Sequence, residues 1–383
     1  MANGKNGIAS MIQVCANSTM ERDYLYSQKG TSLNEIFKSK HKHHTHFDKE
    51  PMNTEDRRVS LGSSTIFEFD NKRSDMIGNL ILRITVDSLP SDRVYVNNLG
   101  TRLIDTVRII NGDRELVSYT GHYLLTHHLL NTPRSKANGV DRMIGHYNTK
   151  YSLNGNRRTL YVPLPFMREQ FYPLFLSKFQ VNVHLSSDIV SYKTESVQVR
   201  FGLRHNGTVR AILSTNTEPV PMSASVSLLF DAIHLSRDER LLFATRKGEL
   251  LFQSIQQKSF PVFLGDTTVQ CLLDFTGTTN HLIVTMNYKK INSFRLLING
   301  IMVNADTDAN MYRYFNNSLA IKGYIYVIPF ALDCNNPQPS GSITFYGRKN
   351  TVLMVNMDPD TSEEIQIVGV MLDSMKFENG LVF

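Results

Sequence analysis

A chain of 383 residues, 41% hydrophobic and 20% charged, is long enough for two or three ordinary domains, each with its own core. The net charge of +6 tilts it toward an anionic neighbour, whether nucleic acid, a membrane surface or an acidic protein, without requiring one. Three scattered cysteines, Cys15, Cys271 and Cys334, argue against a disulfide framework or a cysteine zinc site and for a reducing compartment; no apolar run reaches the ~18 residues of a membrane-spanning helix, and the N-terminus lacks the apolar stretch and cleavage site of a secretory signal.

Residues 1–46 read as a polar arm. It ends in "HKHHTHF", where Lys38, Lys40, His41, Lys42, His43, His44 and His46, with Lys49 just beyond, form a one-signed stretch with no acid between Glu35 and Asp48. In an extended segment His41 and His43 share one face, and His44 and His46 the other. Zinc sites need three or four converging ligands, so the run reads as a basic segment that gains charge below about pH 6.5, and neither a metal nor a cofactor is expected.

From residue 47 the dominant period is two. In "LILRITVD" Leu80, Leu82, Ile84 and Val86 share one face; in "FQVNVHLS" Phe179, Val181, Val183 and Leu185 do; in "HLIVTMNY" Leu282, Val284, Met286 and Tyr288 do. Such alternation marks half-buried strands. Asn-Gly turns at Asn111, Asn154, Asn206, Asn299 and Asn379 separate strands. Helices are few: one is expected over Glu115 to Leu130, and another after "SRDE", where Ser236 and Glu239 form a capping box. "NADTDAN" spaces Asn304, Asp306, Asp308 and Asn310 like a calcium loop but has Met311 where the glycine belongs and no closing glutamate, so it reads as a solvated turn. "DPDTSEE" (Asp358 to Glu364) reads as a charged loop, and the glycosylation triplets at Asn17, Asn206 and Asn316 as bare in a chain without a secretory route. HExxH, GxSxG, Walker and GxGxxG motifs are missing from the sequence.

The chain echoes itself. "VRIINGDREL" (Val107 to Leu116) returns as "FRLLINGIMV" (Phe294 to Val303), and "LYVPLPF" (Leu160 to Phe166) as "IYVIPF" (Ile325 to Phe330), in the same order. A duplicated all-β domain follows, with a short charged helical joint at Asp231 to Gly248.

Two tandem β domains, that joint, and "NNPQPSGSITFYGRKNTVLMV" late in the second domain resemble the double jelly-roll major capsid proteins of large eukaryotic double-stranded DNA viruses. The run Pro337, Gln338, Pro339, Ser340, Gly341, Ser342 carries the likeness most specifically. "LIDTVRIINGDREL", "RRTLYVPLPFMREQFYPLFLSKFQVNVHL" and "SRDERLLFA" support it, and the resemblance spans nearly the whole chain. It implies two tandem eight-stranded jelly rolls: an arm at 1–46, a first roll at 47–230, a helical linker at 231–248 and a second roll at 249–383. The chain is short for the family, so the loops at the top of each roll are expected to be small.

The resemblance further implies a homotrimer that tiles an icosahedral shell, touching neighbouring capsomers, minor capsid and penton proteins and an internal membrane, with no sequence-specific nucleic-acid binding. It places the protein in the virion capsid, assembled inside the host cell in the cytoplasm. The basic entry segment would face the particle interior. Two rival readings share the frame: a scaffold or minor capsid protein, and a jelly-roll enzyme or carbohydrate-binding protein. Fold alone does not decide between them.

Overall fold

In the computed structural model the described residues are 47–382, except 90–92, 96, 134, 146–156, 168–169, 175–177, 188–190, 194–222, 246, 287–290, 304–306, 315–324, 335–338, 348–350, 359–362 and 379–380. Eight principal strands, with shorter ones beside them, build the first domain: β1 (Phe47–Asn53), β2 (Ser64–Phe69), β3 (Met76–Val86), β4 (Ile104–Asn111), β5 (Arg114–Thr120), β6 (Arg158–Pro163), β7 (Phe179–Leu185) and β8 (Ser223–Leu235). They form two antiparallel sheets in the orders β1-β8-β3-β6 and β2-β7-β4-β5. Eight more build the second: β9 (Gly248–Val262), β10 (Thr268–Leu272), β11 (Thr278–Thr285), β12 (Ile291–Ile298), β13 (Ile301–Met302), β14 (Ile325–Pro329), β15 (Val352–Met357) and β16 (Glu363–Glu378). Their orders are β9-β16-β11-β14 and β10-β15-β12-β13. Adding eight to each strand number of the first domain yields the second, the Greek-key order of a jelly roll made twice.

The alternating runs explain the sandwich. Leu80, Leu82, Ile84 and Val86 of β3 meet Phe179, Val181, Val183 and Leu185 of β7 in one buried cluster. In the second roll Leu282, Val284 and Met286 meet Phe294, Leu296, Leu353 and Val355 in another. Each such side chain withdrawn from water stabilises the fold by roughly 1.5–3 kcal/mol. The echoed segments are equivalent strands. Val107 and Phe294 lie in β4 and β12, each ending at an Asn-Gly turn, and Leu160 and Ile325 lie in β6 and β14. Asn299 and Gly300 both take positive φ, the pairing that lets a two-residue hairpin follow the strand twist.

Two expectations are corrected. The helix anticipated over Glu115 to Leu130 begins only at Gly121. Glu115 to Thr120 instead pair with β4 as β5, because Val117 and Tyr119 alternate into the core. Thr120 caps the helix α1 (Gly121–Asn131), accepting from the Tyr123 N–H at 3.2 Å. Gly121 lies so close to the Thr101 and Ile104 carbonyl oxygens that a Cβ would sit 2.1 and 2.3 Å from them. The joint is also shorter than 231–248: β8 runs to Leu235, and the helix α2 covers Arg237–Thr245. The reason is that Ala232, Ile233 and Leu235 are buried and continue the ladder against Met76 and Phe47. The Ser236 half of the capping box is present, with Ser236 Oγ accepting from the Glu239 N–H at 3.4 Å.

An acid fixes α2 to the first roll. Buried Asp75 accepts from Arg240 Nη2 at 2.9 Å and from the Leu235 N–H at 2.8 Å, and its other oxygen lies 2.8 Å from Arg240 Nε. Since Phe47 pairs with Leu235, the point where the arm enters and the start of the linker share one end of the first roll.

Candidate functional site

The two rolls pack face to edge. The outer face of the second roll's β9-β16-β11-β14 sheet presents Ile283, Ile325, Val327, Val368 and Val370, which join the first roll's core cluster. Against it the first roll sets β5, α1 and the segment after β6. Phe166 packs on Phe252 with ring centroids 6.1 Å apart. Thr120 Oγ1 donates to Gln257 Oε1 at 2.7 Å, and His122 Nε2 bonds Thr285 Oγ1 at 2.9 Å. Arg114 and Asp373 add an exposed ion pair at 3.7 Å.

A cavity of about 140 Å³ lies in this seam, lined by Tyr123, His127 and Gln170 from the first roll and by Phe252, His281 and Cys334 from the second, among others. His281 Nδ1 is buried without a hydrogen-bond partner. Burial lowers the His281 imidazole to about 4 and raises the Cys334 thiol to about 11. Both are neutral near pH 7, so they make a polar spot in an apolar seam and not an activated nucleophile and base. Burial also lowers His122, with Glu364 acting against it.

The corresponding place on the first roll is open. A groove of about 550 Å³ runs over β1, β8 and β3, walled by His127, Asn131 and Pro165, which also line the seam cavity; Ile81 and Leu229 are its outward apolar residues, and Asn79 and Asp231 are among its polar ones. Asn79, at positive φ, donates to Asp231, which Lys49 approaches at 2.9 Å.

The sequence-predicted residues fall in three places. Pro339 to Ser342 of the proline-glycine run are described; Pro337 and Gln338 are not. Ser340 Oγ accepts from the Asp333 N–H at 3.0 Å and donates to the Asp333 carbonyl at 3.1 Å. Gly341 has φ 147, and a Cβ there would sit 2.9 Å from the Phe330 carbonyl oxygen. The chain then adds Ile343 and Thr344 to β11 and buries Phe345 against Phe330 and Phe275. Lys49 sits in β1, held by Asp231. Lys38, Lys40, His41, Lys42, His43, His44 and His46 lie outside the described residues, as do the glycosylation triplets. Asp308 accepts from the Asn310 N–H at 2.8 Å, an Asx-type turn; Asn304 and Asp306 are not described. Among the described residues no three His, Cys, Asp or Glu side chains converge as a metal site would require.

Sequence reasoning missed Asp75 and the groove. Asp75 is a lone acid in a turn, identifiable only from the buried carboxylate's pairing with Arg240. The groove is assembled from four strands distant in sequence.

Residues 35–230 match the family model described as the major capsid protein N-terminus. No curated protein sequence matches the chain. Among solved structures it resembles VP54 of the virus PBCV-1, at TM-score 0.73 and 15% identity, over 91% of this chain and 99% of that one. It resembles the Faustovirus major capsid protein at TM-score 0.64 and 10% identity, over 97% of both chains. A chain of the Sputnik virophage matches at 0.55 and 11% identity, over 95% of this chain and 91% of that one.

Proposed function

This chain belongs to the major capsid protein family, and from that premise we propose that three copies close into a ring of six rolls, a pseudo-hexameric capsomer that tiles the icosahedral shell of a large DNA virus. It is a double jelly-roll capsid protein, and its work is structural. The observation that carries the trimer is the doubling of the principal strand order in one chain: two like rolls per chain and three chains supply six like units for a hexagonal lattice. Obligate interfaces of this kind draw their energy from buried area. Neighbouring capsomers, minor capsid and penton proteins, and the lipid of an internal membrane are the partners this reading implies, in particles assembled in the host cytoplasm. Phe47, which follows the basic run, pairs with Leu235 beside the linker; we take that end as the inner base, where each lysine near an anionic bilayer contributes about 1 kcal/mol.

Native mass spectrometry at micromolar concentration tests the reading. A trimer is expected, and a stable monomer overturns it. Abundance in purified particles separates a shell protein from a scaffold or minor component. Exchanging Lys38, Lys40 and Lys42 for Glu is expected to spare the trimer and impair assembly; normal particles would remove the basic segment from the proposal.

A further inference from the structure

We infer that the open groove on the first roll receives the loop after β14 of a second copy of this chain, with Leu332 as the inserted side chain. The inference rests on the capsomer reading and names the surfaces that would join the copies.

The chain already contains one instance of the contact. The segment after β6, with Pro165, Phe166 and Met167, reaches across to the second roll and helps to close the cavity over β9, β11 and β16. The groove on β1, β3 and β8 occupies the matching place on the first roll, and Asn79, Ile81 and Leu229 line it as His281 and Val370 line the seam cavity. The segment that matches Phe166 and Met167 in the second roll follows β14. It carries Leu332, 95% exposed. At that exposure its whole side chain is available for another molecule to cover.

The proline-glycine run explains why the loop can serve as a wedge. Ser340 holds both the N–H and the carbonyl of Asp333, the residue next to Leu332. Gly341 packs against the Phe330–Ala331 backbone so closely that no side chain fits between. The loop is clamped on both sides of Leu332, so little conformational freedom is lost when it docks. The groove offers Ile81 and Leu229 to the leucine, with the edges of core residues Met52 and Phe230 beneath, and Asn79 and Asp231 to its backbone. The contact joins different surfaces on the two copies, so it propagates head to tail and needs ring closure to end. A second copy suits it better than the arm, because the covering element inside the chain is itself the corresponding loop of a neighbouring roll.

Two variants and one pair test this on the full chain. Leu332→Asp is expected to weaken the trimer at least about tenfold while leaving the monomer's melting temperature unchanged. Ile81→Cys combined with Leu332→Cys is expected to yield disulfide-linked copies on oxidation, which Ile81→Cys alone does not, with the bridge located by peptide mass spectrometry. A wild-type chain that never trimerises would overturn the capsomer reading and this inference together. A wild-type trimer that Leu332→Asp leaves intact, or a cross-linked pair whose bridges map elsewhere, would overturn this inference alone.

Discussion

Arg83 and Ile283 occupy the same position in two copies of one sheet. Arg83 faces Ser227 and Tyr161 across its ladders, and Ile283 faces Val368 and Val327. The inner neighbours hardly differ, Leu82 and Leu282 both being fully buried. The outer neighbours differ because, among the described residues, the second roll's outer face is the more completely covered. There every residue of β11 from Thr279 to Thr285 is buried, whereas β3 keeps the half-exposed alternation of a sheet with one wet side. A duplicated frame thus retains its inward residues and changes its outward ones according to when each face is covered. The seam forms during folding and is apolar. The first roll's face keeps a half-exposed alternation, and it carries Arg83 bonded to Asp56 at 2.8 and 2.9 Å and Thr85 bonded to Thr159 at 3.2 Å.

Exchanging the two residues sharpens that contrast most. Ile283→Arg places a charge in the seam without a carboxylate to meet it and should cost about 3–5 kcal/mol. Arg83→Ile removes a partly exposed ion pair and should change stability by less than about 1 kcal/mol. Denaturant unfolding of both variants at neutral pH measures the difference. Equal losses would mean that the two faces are equally buried and the contrast is false.

Protonation separates the rolls next. His281 stands where the first roll has Ile81, opposite Pro329 as Ile81 is opposite Pro163. Burial lowers the imidazole to about 4, against about 6.5 in an unfolded chain. Its neutral form is the one the fold accepts. The unfolded chain therefore binds a proton in the window from 6.5 down to about 4 while the folded chain does not, and stability falls with pH across it. The full loss is ~3 kcal/mol, complete once pH drops to the folded value. The titratable side chains sharing its cavity are Tyr123, His127 and Cys334, none of which supplies a negative charge in that range. His122, lowered in the same direction, steepens the fall. Melting curves between pH 7 and pH 4 should show the wild type losing stability faster than His281→Gln. Parallel curves would show that the seam does not feel this proton.

Much of this was legible in the sequence. Strict alternation exposed the core strands, because a half-buried ladder writes its two faces in adjacent letters. The echoed Asn-Gly and Pro-Phe marks exposed the duplication. The alternation in "HLIVTMNY" marks the inward residues Leu282, Val284 and Met286, yet the intervening His281, Ile283 and Thr285, which a half-buried strand would turn to solvent, are also buried. Nothing local reports that a second sheet face is covered by another domain. The strand β5 was read as helix because "RELVSYTGHYLL" also suits a helical period; pairing with β4 across the Asn-Gly turn decided it, and such pairing lies beyond a local window. The connections β5–β6 (121–157) and β7–β8 (186–222) of the first roll are longer than 303–324 and 358–362 of the second.

The sharp turns should differ in the same way. Gly341→Ala forces a Cβ toward the Phe330 carbonyl at 2.9 Å with φ at 147, a strain of about 1–3 kcal/mol. Gly112→Ala, in the first roll's hairpin, has φ 60 and nothing within 4 Å, and should cost about 1 kcal/mol. Thermal unfolding ranks the two; a larger loss at Gly112 would mean that the loop after β14 yields where it was read as clamped.

The smallest expected effect on stability is at Ser340. Its hydroxyl makes two bonds to Asp333 in an exposed loop, where water replaces most of what is lost, so Ser340→Ala should cost the monomer only about 0.5–1 kcal/mol. Its effect on association should be disproportionate. Without the hydroxyl the Asp333 backbone loses two bonds beside Leu332, and part of the entropy of fixing it then counts against docking instead of folding. Paired measurements of melting temperature and trimer dissociation separate the two. If the trimer weakens no more than the monomer melts, Ser340 is a fold residue only. If it weakens well beyond that while Ser340→Thr restores it, the clamp on Asp333 acts through the position of Leu332, and the proline-glycine run is part of the assembly surface.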